Sequence, residues 1–171
     1  GGGTVNRSAA GPYHYGDVVT LTAVPDVGWS FGSWSGDLSG SVNPRSLTID
    51  GNKVVTATFT LNQYALTVNR SGSGTGTVTS VPAGIDCGST CSANFGYNTA
   101  VTLTAVVGTG STFTGWSGSG CSGTGTCVVT MSQARSVTAT FTLNEYSLTV
   151  NVAGGGTVNR SAAGPYHYGD V

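Results

Sequence analysis

A chain of 171 residues with 28 glycines, 8% charged residues and a formal net charge of −1 lacks the high charge and low hydrophobicity of a disordered segment. Its six Lys and Arg residues are scattered, which argues against a nucleic-acid surface built on clustered positive charge. No apolar run approaches the roughly 20 residues that cross a bilayer, so no membrane insertion is expected of this segment, and no basic stretch followed by an apolar core opens it as a signal peptide would.

In chain order, Gly1–Val18 reads GGGTVNRSAAGPYHYGDV and contains Pro12-Tyr13-His14-Tyr15-Gly16, which suggests a hairpin. Val19, Leu21 and Ala23 then alternate with Thr20 and Thr22. That period of two predicts a strand with one buried face and one Thr-rich face open to water. Phe31 and Trp34 follow in Phe-x-x-Trp-Ser-Gly. Leu47–Ile49 and Val54–Phe59 flank Asp50-Gly51, where glycine accepts the positive φ of a tight turn, and together predict a second hairpin. Val55, Ala57 and Phe59 alternate with Thr56 and Thr58, and Tyr64, Leu66 and Val68 form the next apolar face. Between these runs the parity flips from odd (Phe59, Leu61) to even, which one continuous strand cannot accommodate on one face. The chain must therefore bend or change sheets near Asn62-Gln63, and for the same reason near Asn144-Glu145.

The remainder repeats what came before. VTLTAV at Val19–Val24 returns at Val101–Val106, VTATFTLN at Val55–Asn62 returns at Val137–Asn144, and Phe31 and Trp34 return as Phe113 and Trp116, all 82 residues on. The Gly-Thr-Val element moves by 73 instead (Gly3 to Gly76), so the second copy carries nine extra residues between Val78 and Ala100. Gly154–Val171 then repeats Gly1–Val18 without a change, 153 residues on. These offsets predict an all-β chain of tandem small antiparallel β-sheet or sandwich-like domains in a repeat array. Residues 1–61 form a first domain lacking its N-terminal strand, 62–143 a complete Cys-containing domain, and 144–171 the opening strands of the next copy of the first. Links of about four residues reach at most ~14 Å, which predicts neighbours that nearly touch and a semi-rigid rod. The identical ends suggest a window on a longer periodic polymer.

All four cysteines, Cys87, Cys91, Cys121 and Cys127, lie in the second domain. Four cysteines allow three pairings; pairing within each loop is the most economical. The rival reading is a zinc site, for which the spacings are loose and no His lies near. Disulfides imply an oxidising, extracytoplasmic compartment. His14 and His167 occupy one repeat position without a nucleophile motif beside them, and the acidic residues are isolated rather than paired. A Lys53–Asn isopeptide bond is disfavoured because the second copy has Arg135 there. No catalytic residue, cofactor or metal is expected. Phe31, Trp34, Phe113 and Trp116 are expected core anchors, being present in both copies. Tyr13, His14, Tyr15 and Trp29 read as special to the first domain, and as an inter-domain or ligand contact face. Asn6, Asn69 and Asn159 head Asn-x-Ser glycosylation acceptors.

Taken in order, Tyr-x-Leu-Thr-Val, Gly-Thr-Val, Gly-x-x-Val-Thr-Leu-Thr-Ala, Phe-x-x-Trp-Ser-Gly and Val-Thr-Ala-Thr-Phe resemble the divergent InlB B-repeat (Listeria–Bacteroides-type) family, over nearly the whole chain. Pro82–Gly88, Gly115–Gly118 and Cys121–Cys127 resemble its Cys-bearing form. The resemblance implies small β domains in secreted or cell-surface proteins, used as stalks or repeats, with no catalytic residues to transfer. The expected role is thus structural, not enzymatic. It is a segment of an extracellular, cell-surface filament or fibre, partnered head-to-tail with further copies of itself and carrying candidate covalent glycans. The alternative is the stalk or glycan-binding repeats of an adhesin.

Overall fold

The computed structural model describes all 171 residues, which form fourteen strands and no helix; none is therefore long and apolar enough to cross a membrane. In order the strands are β1 (Gly3–Arg7), β2 (Val18–Pro25), β3 (Trp29–Gly36), β4 (Arg45–Thr48), β5 (Val55–Leu61), β6 (Gln63–Ser71) and β7 (Gly76–Val81). They continue with β8 (Ser92–Gly96), β9 (Ala100–Val107), β10 (Ser111–Ser117), β11 (Cys127–Thr130), β12 (Arg135–Leu143), β13 (Glu145–Tyr146) and β14 (Tyr166–His167). Two compact units result: residues 1–64 with 96–98, and residues 65–95 with 99–171.

In the first unit, β1, β2 and β4 form one antiparallel sheet in that order, and β3 pairs with β5 in another. Val19, Leu21 and Ala23 of β2 are buried with Trp34 and Leu38, and Phe31, Leu47, Val55 and Phe59 pack against them. Thr56, Thr58 and Thr60 face water. This is the expected division of an alternating strand between core and solvent.

Two turn expectations need correction. Asp50-Gly51 does not close a hairpin, because β4 pairs with β2 whereas β5 pairs with β3. Ile49 stays on the first sheet by exchanging backbone bonds with Gly16 and Asp17, and the chain then crosses to the second. Pro12–Gly16 is not a hairpin either. A turn closes from Asp17 N–H to the His14 carbonyl at 3.1 Å, but Ala10–Tyr13 form no strand. Their counterparts 82 residues on are in β8, which is held by β6; the first unit has no strand in the place of β6.

The Phe-x-x-Trp spacing has a geometric cause. Residues three apart on a regular strand face opposite ways. Here the register slips between Phe31 and Ser33, and again between Phe113 and Gly115. Each slip is a one-residue bulge, which turns both aromatic rings to the same side.

The second unit holds a four-stranded sheet in the order β10-β12-β6-β8, a three-stranded sheet β11-β9-β7, and the pair β13-β14. The sheets are antiparallel with one exception: β6 and β12 run parallel, Leu66 beside Arg135 through Ser71 beside Thr140. The first and last strands of the complete repeat thus lie side by side. Leu66, Val78, Leu103, Val137 and Phe141 are all buried.

Candidate functional site

The features that distinguish this chain chemically lie in its loops, its aromatic anchors and the edge of β5. Both cysteine pairs are local disulfides, Cys87–Cys91 and Cys121–Cys127, with no free thiol left. The first closes the inserted loop, where Asp86 bridges to Thr79 and Thr90. The second closes the loop between β10 and β11, whose Gly125 carbonyl accepts the Trp116 indole N–H at 2.6 Å. Trp34 donates likewise to Val42 at 2.9 Å. Each Trp is buried, and each packs 5.0 Å from its Phe, Phe31 or Phe113. A buried indole N–H needs such a partner.

The residues read as a contact face are divided by the fold. Tyr13 packs against the core, its hydroxyl donating to the Ala9 carbonyl at 2.7 Å. His14 and Tyr15 are exposed, Tyr15 at 87%. These three line one surface with Asp50 and Lys53. Trp29 is not among them; it lies in β3 opposite Leu61, against Gly2. Nor are Tyr13 and Tyr15 special to the first repeat. The 82-residue offset places Phe95 and Tyr97 in their positions ahead of β9, and Phe95 is buried.

Lys53 has ionic partners in place of an isopeptide. Its ammonium lies 2.5 Å from Asp50 Oδ1 and 3.7 Å from Asp37 Oδ1. The hydrogen bond from Lys53, reinforced by its charge, holds the Asp50 carboxyl below its ordinary range. The same hydrogen bond raises Lys53. Asp37 also accepts the Val54 N–H at 2.6 Å. Its counterpart Ser119 accepts the Ser136 N–H at 3.1 Å, so a hydroxyl replaces the carboxylate without loss of the backbone link. Asn6 and Asn159 are exposed; Asn69 is exposed and its side-chain amide donates to Ser136 Oγ at 3.0 Å.

The fold adds two features to the sequence reading. Asn62 and Asn144 pin the change of sheet: each N–H donates to Gly28 or Gly110, and each Oδ1 accepts the hydroxyl of Ser30 or Thr112 at 2.6 Å. The signal was their shared place at the end of VTATFTLN. The second is an open groove of about 370 Å³ in the first unit, lined by Val5, Tyr13, Leu47, Ile49, Lys53 and Val55 among others. It lies in the domain expected from the sequence to lack its N-terminal strand. Positions open here are closed in the complete repeat: Val5 is 40% exposed and its counterpart Val78 is 0%.

No curated protein and no solved structure matches the chain significantly. A family model described as the divergent InlB B-repeat domain matches residues 1–63 and again residues 64–145.

Proposed function

We propose, from the premise that this chain belongs to the divergent InlB B-repeat domain family, that it is a structural segment of an extracellular filament or surface fibre built head-to-tail from such repeats. The observation that carries this reading is periodicity: one domain pattern recurs at 82 residues, and the identical eighteen-residue segment Gly1–Val18 recurs at Gly154–Val171. The two disulfides support an oxidising setting outside the cytoplasm. The role is mechanical, not catalytic, with outward Thr faces and glycans at Asn6, Asn69 and Asn159 shielding the backbone. Electron microscopy of material shed by the cells that make the protein tests this. Uniform fibres with a periodicity of one or two small domains are expected. Short stalks tipped by a different globule would establish instead the adhesin reading, which the shared surface of Tyr15, His14 and Lys53 favours; loss of glycan binding in Tyr15→Ala would then locate the grip.

A further inference from the structure

Two turn glycines are covered by the same kind of side chain. Gly28 and Gly110 stand 82 residues apart, each just ahead of a strand that carries a Phe-x-x-Trp pair, β3 or β10. Both have positive φ, +83° and +69°, which by itself favours glycine. It does not account for what lies on top of them. A methyl group at Gly28 would overlap the ring of Tyr97, and one at Gly110 would overlap Cβ and the ring of Tyr168. Gly120 and Gly123 also have positive φ, yet nothing lies within 4 Å of the same point on either. Tyr97 and Tyr168 hold one position in the repeat, 82 and 153 residues beyond Tyr15. Both stand in turns, each followed by a left-handed residue, Asn98 or Gly169.

The seat around each glycine is shared as well. The Asn62 N–H donates to the Gly28 carbonyl at 2.8 Å, and the Asn144 N–H to the Gly110 carbonyl at 2.8 Å. At the first seat the Asn62 carbonyl accepts the Tyr97 N–H at 2.7 Å, and the Tyr64 ring stands edge-on to Tyr97 with 6.5 Å between centroids. By sequence Tyr97 belongs to the second matched repeat, residues 64–145, yet residues 96–98 pack with the first compact unit. Tyr168 follows residue 145 and covers a glycine of the repeat before it. We infer that each repeat presents a glycine socket, formed by the turn before its Phe-x-x-Trp strand and by the Asn that closes VTATFTLN, and that this socket takes the turn tyrosine of the following repeat. The partner is another repeat of the same family, and the contact is a joint that restrains one repeat against the next. Any side chain at the socket would exclude the ring, so glycine is required there twice over. The joint rests on the repeat organisation and serves a filament and a stalk alike.

The test uses the full chain, spin-labelled at Thr58→Cys and Thr104→Cys, two exposed strand positions, one in each matched repeat. Pulsed electron resonance is expected to give one narrow distance distribution. Tyr97→Ser should broaden it, Tyr97→Phe should keep it narrow because the ring is retained, and Tyr168→Ser should leave it unchanged. The buried aromatic of the β8 segment is Phe95, so the second unit keeps its fold in all three. Amide exchange reads each socket separately. Tyr97→Ser is expected to speed exchange of the Asn62 amide about tenfold and to spare Asn144, and Tyr168→Ser to do the reverse, since an aromatic contact contributes roughly that factor. A broad distribution with Tyr97 in place overturns the joint. So does a distribution that stays narrow in Tyr97→Ser, or an Asn62 amide that exchanges no faster there. Fibres in the microscope alongside any of these failures would leave the array reading standing and remove only the joint.

Discussion

Single side chains decide two properties of these repeats. Trp116 combines burial with a hydrogen bond to the Gly125 carbonyl. Trp116→Ala is therefore expected to cost about 3–5 kcal/mol, read as a lowered denaturant midpoint for the second unit with the first unchanged. Asp50 and Lys53 make one contribution to the pH response of the first unit. The folded carboxyl of Asp50 titrates below its ordinary value of 3.8. Its contribution is complete above that value and is lost as pH falls through the lowered one. Lys53 is shifted upward from 10.5, so its share is complete below that value and is lost only as pH rises through the raised one. Between the two the pair adds no slope. Asp50→Asn should remove the part of the acid-side fall due to this pair, seen by following the urea midpoint against pH. Legibility at this scale was uneven. The Trp and Phe anchors could be read because they recur at a fixed offset. The glycine of Trp-Ser-Gly was read as part of a motif but not for its backbone: Gly36 and Gly118 have φ of +88° and +89°. A methyl group on Gly118 would lie 2.7 Å from the Ser136 carbonyl oxygen, so the backbone leaves no room for a side chain.

Strands were legible where alternation is strict and illegible where pairing is decided at a distance. Val19–Ala23 and Val55–Phe59 announce their inner faces, but nothing local in Asp50-Gly51 says that its flanking runs join different sheets. The parity flip at Asn62-Gln63 is the better guide, because the chain does change sheets there: β5 ends at Leu61 and β6 opens at Gln63. The disulfide loops act on the ends of elements. Cys121–Cys127 spans the connection between β10 and β11. In the loop-entropy account, closing so short a loop stabilises by about 2 kcal/mol. The double substitution Cys121→Ser with Cys127→Ser should lower the stability of the second unit by that order in calorimetry. The Trp116 anchor should remain ordered in its fluorescence, since the indole is also held by its Phe113 contact.

At the scale of the chain, the two units are expected to differ in stability, because one core is closed by β6 and the other is open. Hydrogen exchange should show this strand by strand. β12 is flanked by both β10 and β6 over Thr138–Thr140, so the amides there bond on both sides and exchange slowly. β5 has only β3 beside it, so alternate amides should exchange fast. Uniform protection along β5 would show its edge already occupied. The order of words in the sequence was enough to expect tandem β domains. It did not reveal that the domain's first and last strands would be neighbours, because a parallel pairing between Leu66 and Arg135 leaves no local mark.

That neighbour relation has a mechanical consequence. β6 and β12 point the same way, so tension entering at Gln63 and leaving at Leu143 draws the two strands in opposite directions along their shared axis. Every rung from Leu66 beside Arg135 to Ser71 beside Thr140 then carries load at once, in shear. An antiparallel pair joined by a hairpin and pulled from its two free ends would peel open one rung after another. A repeat wired this way resists stretching by the full set of its hydrogen bonds, and its yield force scales with how many rungs the register provides.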